Sequence, residues 1–189
     1  MDAFLVSTGV VALAEIGDKT QLLAFVLAAR FRRPWPIVAG IAVATLLNHG
    51  IAASLGVFLV GLTEAGWLRW VIGGSFLAFA AWTLIPDRLD EKEVSTSGAG
   101  AFLATAIAFF LVEIGDKTQV ATVALAATYH SLVLVTLGTS LGLLLVNAPS
   151  VLLGEGVARR LPMTWIQRGA ALCFAALGAS ILVGLIGAI

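Results

Sequence analysis

Apolar residues run along this chain in six long blocks, each close to the length that crosses the hydrocarbon core of a bilayer as a helix. The blocks extend from Ala3 to Ala29, Pro36 to Leu62, Gly66 to Pro86, Ala101 to Thr128, Ser131 to Val157 and Met163 to Ala188. Short polar stretches separate them: "RFRRPWP", "TEAG", "PDRLDEKEVSTSG", "TYHS" and "ARRLP". Only the third is hydrophilic enough to act as a flexible linker. The pattern predicts an all-α integral membrane protein of six transmembrane helices, because a lipid-exposed backbone must pair its polar groups within its own segment.

The six blocks are two copies of three. The run "EIGDKTQ" at Glu15 to Gln21 recurs as seven consecutive identities at Glu113 to Gln119, an offset of 98. The same offset carries Gly40 onto Gly138, Gly56 onto Gly154 and Phe76 onto Phe174 without a gap. Residues 1–86 and 99–189 therefore read as two three-helix repeats joined by a linker over 87–98. Three is odd, so the second unit enters the membrane from the opposite side. Two inverted-topology repeats are typical of secondary transporters, with the site near the midplane where the halves meet.

Composition agrees with this architecture and narrows it. Sixty per cent of the 189 residues are hydrophobic and 12% charged, and the mean hydropathy is +1.03, outside the range of soluble domains. A net charge of zero argues against a nucleic-acid partner, which needs clustered surplus lysine and arginine. The single cysteine, Cys173, cannot form an internal disulfide. The N-terminal run has Asp2 where a signal peptide has basic residues, so it reads as a retained helix. Arg30, Arg32, Arg33, Arg88, Lys92, Arg159, Arg160 and Arg168 fall on one side of the predicted topology and Arg69 on the other. That bias puts the linker in the cytoplasm and both termini outside.

The repeated motif is the chemical anomaly. Its acids lie near the centre of their spans, where a carboxylate costs at least about 2.5 to 3.5 kcal/mol, so such a group faces the bundle interior and a partner. On a continuous helix Glu15 and Asp18 share a face, as do Glu113 and Asp116. Gly17 and Gly115 permit either close helix approach or local unwinding. Thr20, Gln21, Thr118 and Gln119 add neutral oxygens as supporting ligands. A hard oxygen set of this kind suits Ca²⁺, Mn²⁺ or Mg²⁺, whereas zinc or copper would bring His or Cys into the motif. Lys19 and Lys117 balance part of the charge. Four acids and two lysines leave minus two, matching one divalent cation or two protons.

With these residues in hand, Glu-x-Gly-Asp-Lys-Thr once per half of a six-helix chain resembles the signature of the Golgi and chloroplast manganese/calcium transporters and bacterial manganese exporters, once catalogued as uncharacterised protein family 0016. The resemblance covers essentially the whole chain. It implies export of Mn²⁺ or Ca²⁺ from the cytoplasm in exchange for protons, with Glu15, Asp18, Glu113 and Asp116 as the acidic core of the metal site. The cations are cargo, and no resident cofactor is implied. The absence of the long N-terminal extension of eukaryotic relatives points to a bacterial inner membrane. A homo-oligomer is compatible with the sequence.

Other polar residues admit two readings. Asn48, His49 and Asn147, with His49 and Asn147 matched by the offset, either support the acids by hydrogen bonding or tie helices together. Glu64 and Glu155 lie near helix ends, and Glu155 beside Arg159 reads as an interfacial ion pair. "GTSLG", Gly138 to Gly142, matches a serine-hydrolase pattern with His49 as a conceivable base, yet it falls inside a helix rather than a strand-to-helix elbow. A passive cation channel is the rival transport reading, because acidic rings also filter cations.

Overall fold

The computed structural model describes residues 2–61, 65–85, 100–153 and 163–184. The predicted linker over 87–98, with Arg88 and Lys92, and the residues Glu64, Glu155, Arg159 and Arg160 lie outside the described residues. Eight helices are found within the described part: α1 Asp2–Glu15, α2 Lys19–Phe31, α3 Pro34–Gly61, α4 Ala65–Thr83, α5 Ala101–Glu113, α6 Lys117–Tyr129, α7 Leu132–Leu153 and α8 Met163–Val183.

The first and fourth predicted spans are each two helices, which corrects the continuous-helix reading. Both break inside the motif, and the same residues break them. The Asp18 N–H donates to the Glu15 carbonyl at 3.1 Å, and the Asp116 N–H to the Glu113 carbonyl at 3.2 Å. Ile114 sits at φ −65°, ψ 118° and Gly115 at φ 76°, the dihedral pattern of a type II turn, whose third residue needs a positive φ. Gly17 has the matching φ of 83°. Asp18 and Asp116 then cap α2 and α6 from extended backbone, their carboxylates accepting from the Lys19 and Thr118 N–H groups. Glycine stops one helix and aspartate starts the next.

At about 1.5 Å per residue, α1 and α2 are each near 20 Å long, too short to cross a core of about 30 Å alone. α3 and α7 are long and apolar enough to cross, and they occupy matching places in the two halves.

Contacts between the halves are reciprocal. A methyl on Gly40 of α3 would lie 2.7 Å from the Phe102 carbonyl of α5, and one on Gly138 of α7 would lie 2.6 Å from the Phe4 carbonyl of α1. Both partners are related by the offset of 98, so one close helix crossing is made twice. Such exchange of partners is what a two-fold relation between similar units produces. Phe76 of α4 and its counterpart Phe174 of α8 meet with ring centroids 6.1 Å apart, and Phe79 packs edge-on against both. Large apolar side chains such as Leu47, Ile51, Phe58, Leu103, Val133 and Leu172 cover the outside, a surface that suits lipid contact.

Candidate cation site

The two helix breaks bring the motif residues of both halves together. Glu15, Asp18, Glu113 and Asp116 are all at most 3% exposed. Glu15 lies within electrostatic reach of Glu113, Asp18, Asp116 and Lys117. Contrary to the expectation from the sequence, the acids do not share one helix face; each Glu ends a helix and each Asp caps the next.

The lysines cross between halves. Lys19 Nζ lies 3.3 Å from Asp116 Oδ1, and Lys117 Nζ lies 3.2 Å from Asp18 Oδ1. This exchange divides the acids into two kinds. The aspartates serve as helix caps and lysine partners. The glutamates are held by hydroxyls: Thr20 Oγ1 donates to Glu15 Oε1, and Thr118 Oγ1 donates to Glu113 Oε2 at 3.1 Å.

The glutamines have a structural duty that was not expected of them. Gln21 Oε1 accepts from the Gly17 N–H at 3.0 Å, and Gln119 Oε1 from the Gly115 N–H at 2.8 Å. Each thereby pins its own turn, reaching back as the third residue of a capping box does. Gln21 is further tied by donating to Ser150 Oγ at 3.0 Å; the offset puts Ala52 where Ser150 stands, so the first half has no matching hydroxyl to offer Gln119.

Behind the glutamates lie the residues matched by the offset. Asn147 Nδ2 donates to Glu15 Oε1 at 3.2 Å, while His49 Nε2 lies 3.8 Å from Glu113 Oε2. Asn48, by contrast, faces away and donates to the Phe110 carbonyl at 2.9 Å, which ties α3 to α5. Among the described residues, no group of three or more His, Cys, Asp or Glu is arranged as a ready metal cage. The lysines hold the aspartates instead. "GTSLG" is helical throughout, its Gly138 and Gly142 serving the close approach of α7 to α1.

The family model described as "Divalent cation/proton antiporter GDT1" matches residues 3–91 and 101–187. The chain belongs to this family. It is a membrane transporter of divalent cations and not an enzyme, and the match in two segments agrees with the repeat. A Vibrio cholerae protein described as "Putative manganese exporter" is 51% identical to this GDT1-family chain over 169 residues, covering 89% of this chain and 84% of that protein. "GDT1-like protein sll0615" of Synechocystis is 28% identical over 182 residues, covering 85% and 87%. "GDT1-like protein 3" of Oryza sativa is 28% identical over 187 residues, covering 85% of this chain and 66% of its own length. No solved structure matches the chain.

Proposed function

We propose that this chain exports Mn²⁺, with Ca²⁺ as the other cargo its oxygen ligands suit, from the bacterial cytoplasm in exchange for protons. Residues 1–86 and 99–189 act as inverted repeats with six membrane crossings, the odd-numbered loops in the cytoplasm and both termini outside. Support for that topology comes from the basic-residue bias and from exposed tryptophans at helix ends. Trp35 and Trp165 stand near the starts of α3 and α8, and Trp67 and Trp70 near the start of α4, as interfacial anchors do.

One observation carries the reading: Glu15 and Glu113, both fully buried, end broken helices whose carbonyl ends favour a cation, while the neighbouring aspartates are neutralised across the interface by Lys19 and Lys117. The glutamates are then the net charge of minus two that a divalent cation or two protons can satisfy. Bare, that charge is expensive at membrane depth, so the site reorients loaded with one or the other. Asp18 and Asp116 complete the acidic site, and Thr20, Thr118, Gln21 and Gln119 position it.

Proteoliposomes with an imposed pH gradient test this. Uphill Mn²⁺ accumulation should collapse when the pH gradient is removed and change little with a potassium/valinomycin potential. Glu15→Gln and Glu113→Gln should each abolish it. Flux that follows voltage and ignores pH would replace the exchanger with a channel.

A further inference from the structure

Among the buried polar atoms that make no hydrogen bond to a described residue are Glu15 Oε2, Glu113 Oε1, Asn147 Oδ1 and both ring nitrogens of His49. All four residues are completely buried, and they form two offset-matched pairs, Glu15 with Glu113 and His49 with Asn147. Buried groups left unpaired are rare and call for a physical explanation, an ion being one. Asn147 touches Glu15 and His49 adjoins Glu113, and the two glutamates lie within electrostatic reach of each other.

The His49 geometry is specific. Its 3.8 Å separation from Glu113 Oε2 is too long for a hydrogen bond, yet two metal–ligand bonds of about 2.1 Å span up to about 4.2 Å, so one ion fits between the two atoms. The adjacent Asn48, fixed to the Phe110 carbonyl, holds α3 against α5 and thereby aims His49 at the end of α5.

We infer that His49 is a direct ligand of the transported cation, its Nε2 joining the Glu113 carboxylate, and that this nitrogen selects Mn²⁺ over Ca²⁺ and Mg²⁺. The inference rests on the cation-exchange reading above. Calcium and magnesium are hard ions that take oxygen. Manganese accepts carboxylate oxygen equally well, but as a d-block ion it also bonds imidazole nitrogen. One imidazole among oxygens therefore penalises the two abundant hard ions, and a single nitrogen is fewer than the two or three that thiolate-free zinc sites carry. In the other half the matching position holds Asn147, an amide, so the site offers a single nitrogen.

The test uses purified protein loaded with Mn²⁺ alone, examined by electron spin-echo envelope modulation, with Mn²⁺ and Ca²⁺ affinities measured alongside. The chain has two histidines, so His130→Asn is the control; His130 caps α6 in a left-handed conformation that asparagine tolerates. Modulation from imidazole ¹⁴N is expected in the wild type and in His130→Asn and is absent from His49→Asn. In His49→Asn, which places in one half the residue found in the other, Mn²⁺ affinity should fall at least about tenfold and Ca²⁺ affinity less than about threefold. If His49→Asn does not fold, His49→Gln carries the same comparison. A wild-type protein that binds Mn²⁺ without ¹⁴N modulation, modulation that survives loss of His49, or equal loss of both metals would overturn the assignment while leaving cation exchange intact. A wild type that binds no Mn²⁺ would overturn the cargo reading and this inference together.

Discussion

Replacing Lys117 by methionine removes one arm of the crossed ion pairs and keeps the side chain's length. At 3.2 Å the pair attracts with about 5 kcal/mol at an effective dielectric of about 20, and stranding the partner of a buried pair typically costs about 3 to 5 kcal/mol. Lys117 and Asp18 are 6% and 0% exposed, whereas Lys19 in the twin pair is 19% exposed. Lys19 is the less buried of the two, so Lys19→Met should cost less, about 1 to 3 kcal/mol. Thermal unfolding in detergent with a chelator present, followed by circular dichroism, measures both without interference from bound metal. At about 2 to 4 °C per kcal/mol for a chain of this size, a loss of 3 kcal/mol lowers the Tm of Lys117→Met by roughly 6 to 12 °C. Adding Asp18→Asn to that variant should restore most of the loss, because asparagine caps a helix as well as aspartate does and leaves no stranded charge. Equal losses for the two lysines, or no recovery in the double variant, would refute the burial argument.

The close crossings between halves give a second expectation. Gly40→Ala forces a methyl to within 2.7 Å of the Phe102 carbonyl and should destabilise by about 1 to 3 kcal/mol, whereas Gly50→Ala, whose nearest new neighbour is Thr136 Cγ2 at 3.8 Å, should be neutral or stabilising by roughly 0.5 to 1 kcal/mol; thermal unfolding of the two variants compares them directly. Topology is checked with a reporter active only in the cytoplasm: it should work when inserted between Asp87 and Gly98 and fail at the C-terminus, and the reverse pattern would invert the direction of transport.

The all-helical fold and the repeat were legible because hydropathy and a constant offset are one-dimensional signals. The helix breaks were harder, since Glu and Asp three apart also fit one helix face. Their signal was nonetheless present, in Gly17 followed by Asp18 and then Gln21: a stop, a cap and the residue that reaches back to the turn. The matching of His49 with Asn147 was readable from the offset, but their approach to Glu113 and Glu15 depends on how α3 and α7 pack, which no local pattern encodes. Nor could the sequence say that Lys19 serves Asp116 rather than its neighbour Asp18. That choice follows from the direction in which each capped helix leaves its turn.

The crossing of the lysines also explains why the same costly residues occur twice. Asp18 pairs with Lys117, and Asp116 with Lys19, so each motif's aspartate takes an ion pair from the other half. Separating the halves breaks both buried pairs, at about 3 to 5 kcal/mol each, and also exposes the glycine crossings at Gly40 or Gly138, whose nearest neighbours belong to the other half. Losses of that size exceed a large part of the stability of an ordinary domain. Residues 1–98 and 99–189 expressed separately should therefore each be degraded, whereas co-expression should restore folded protein and pH-driven Mn²⁺ transport. Cellular protein levels and uptake in membrane vesicles read the two outcomes. If one half accumulated as a stable protein and moved metal by itself, the shared site between the halves would be wrong, whatever the motif's identity in the two copies suggests.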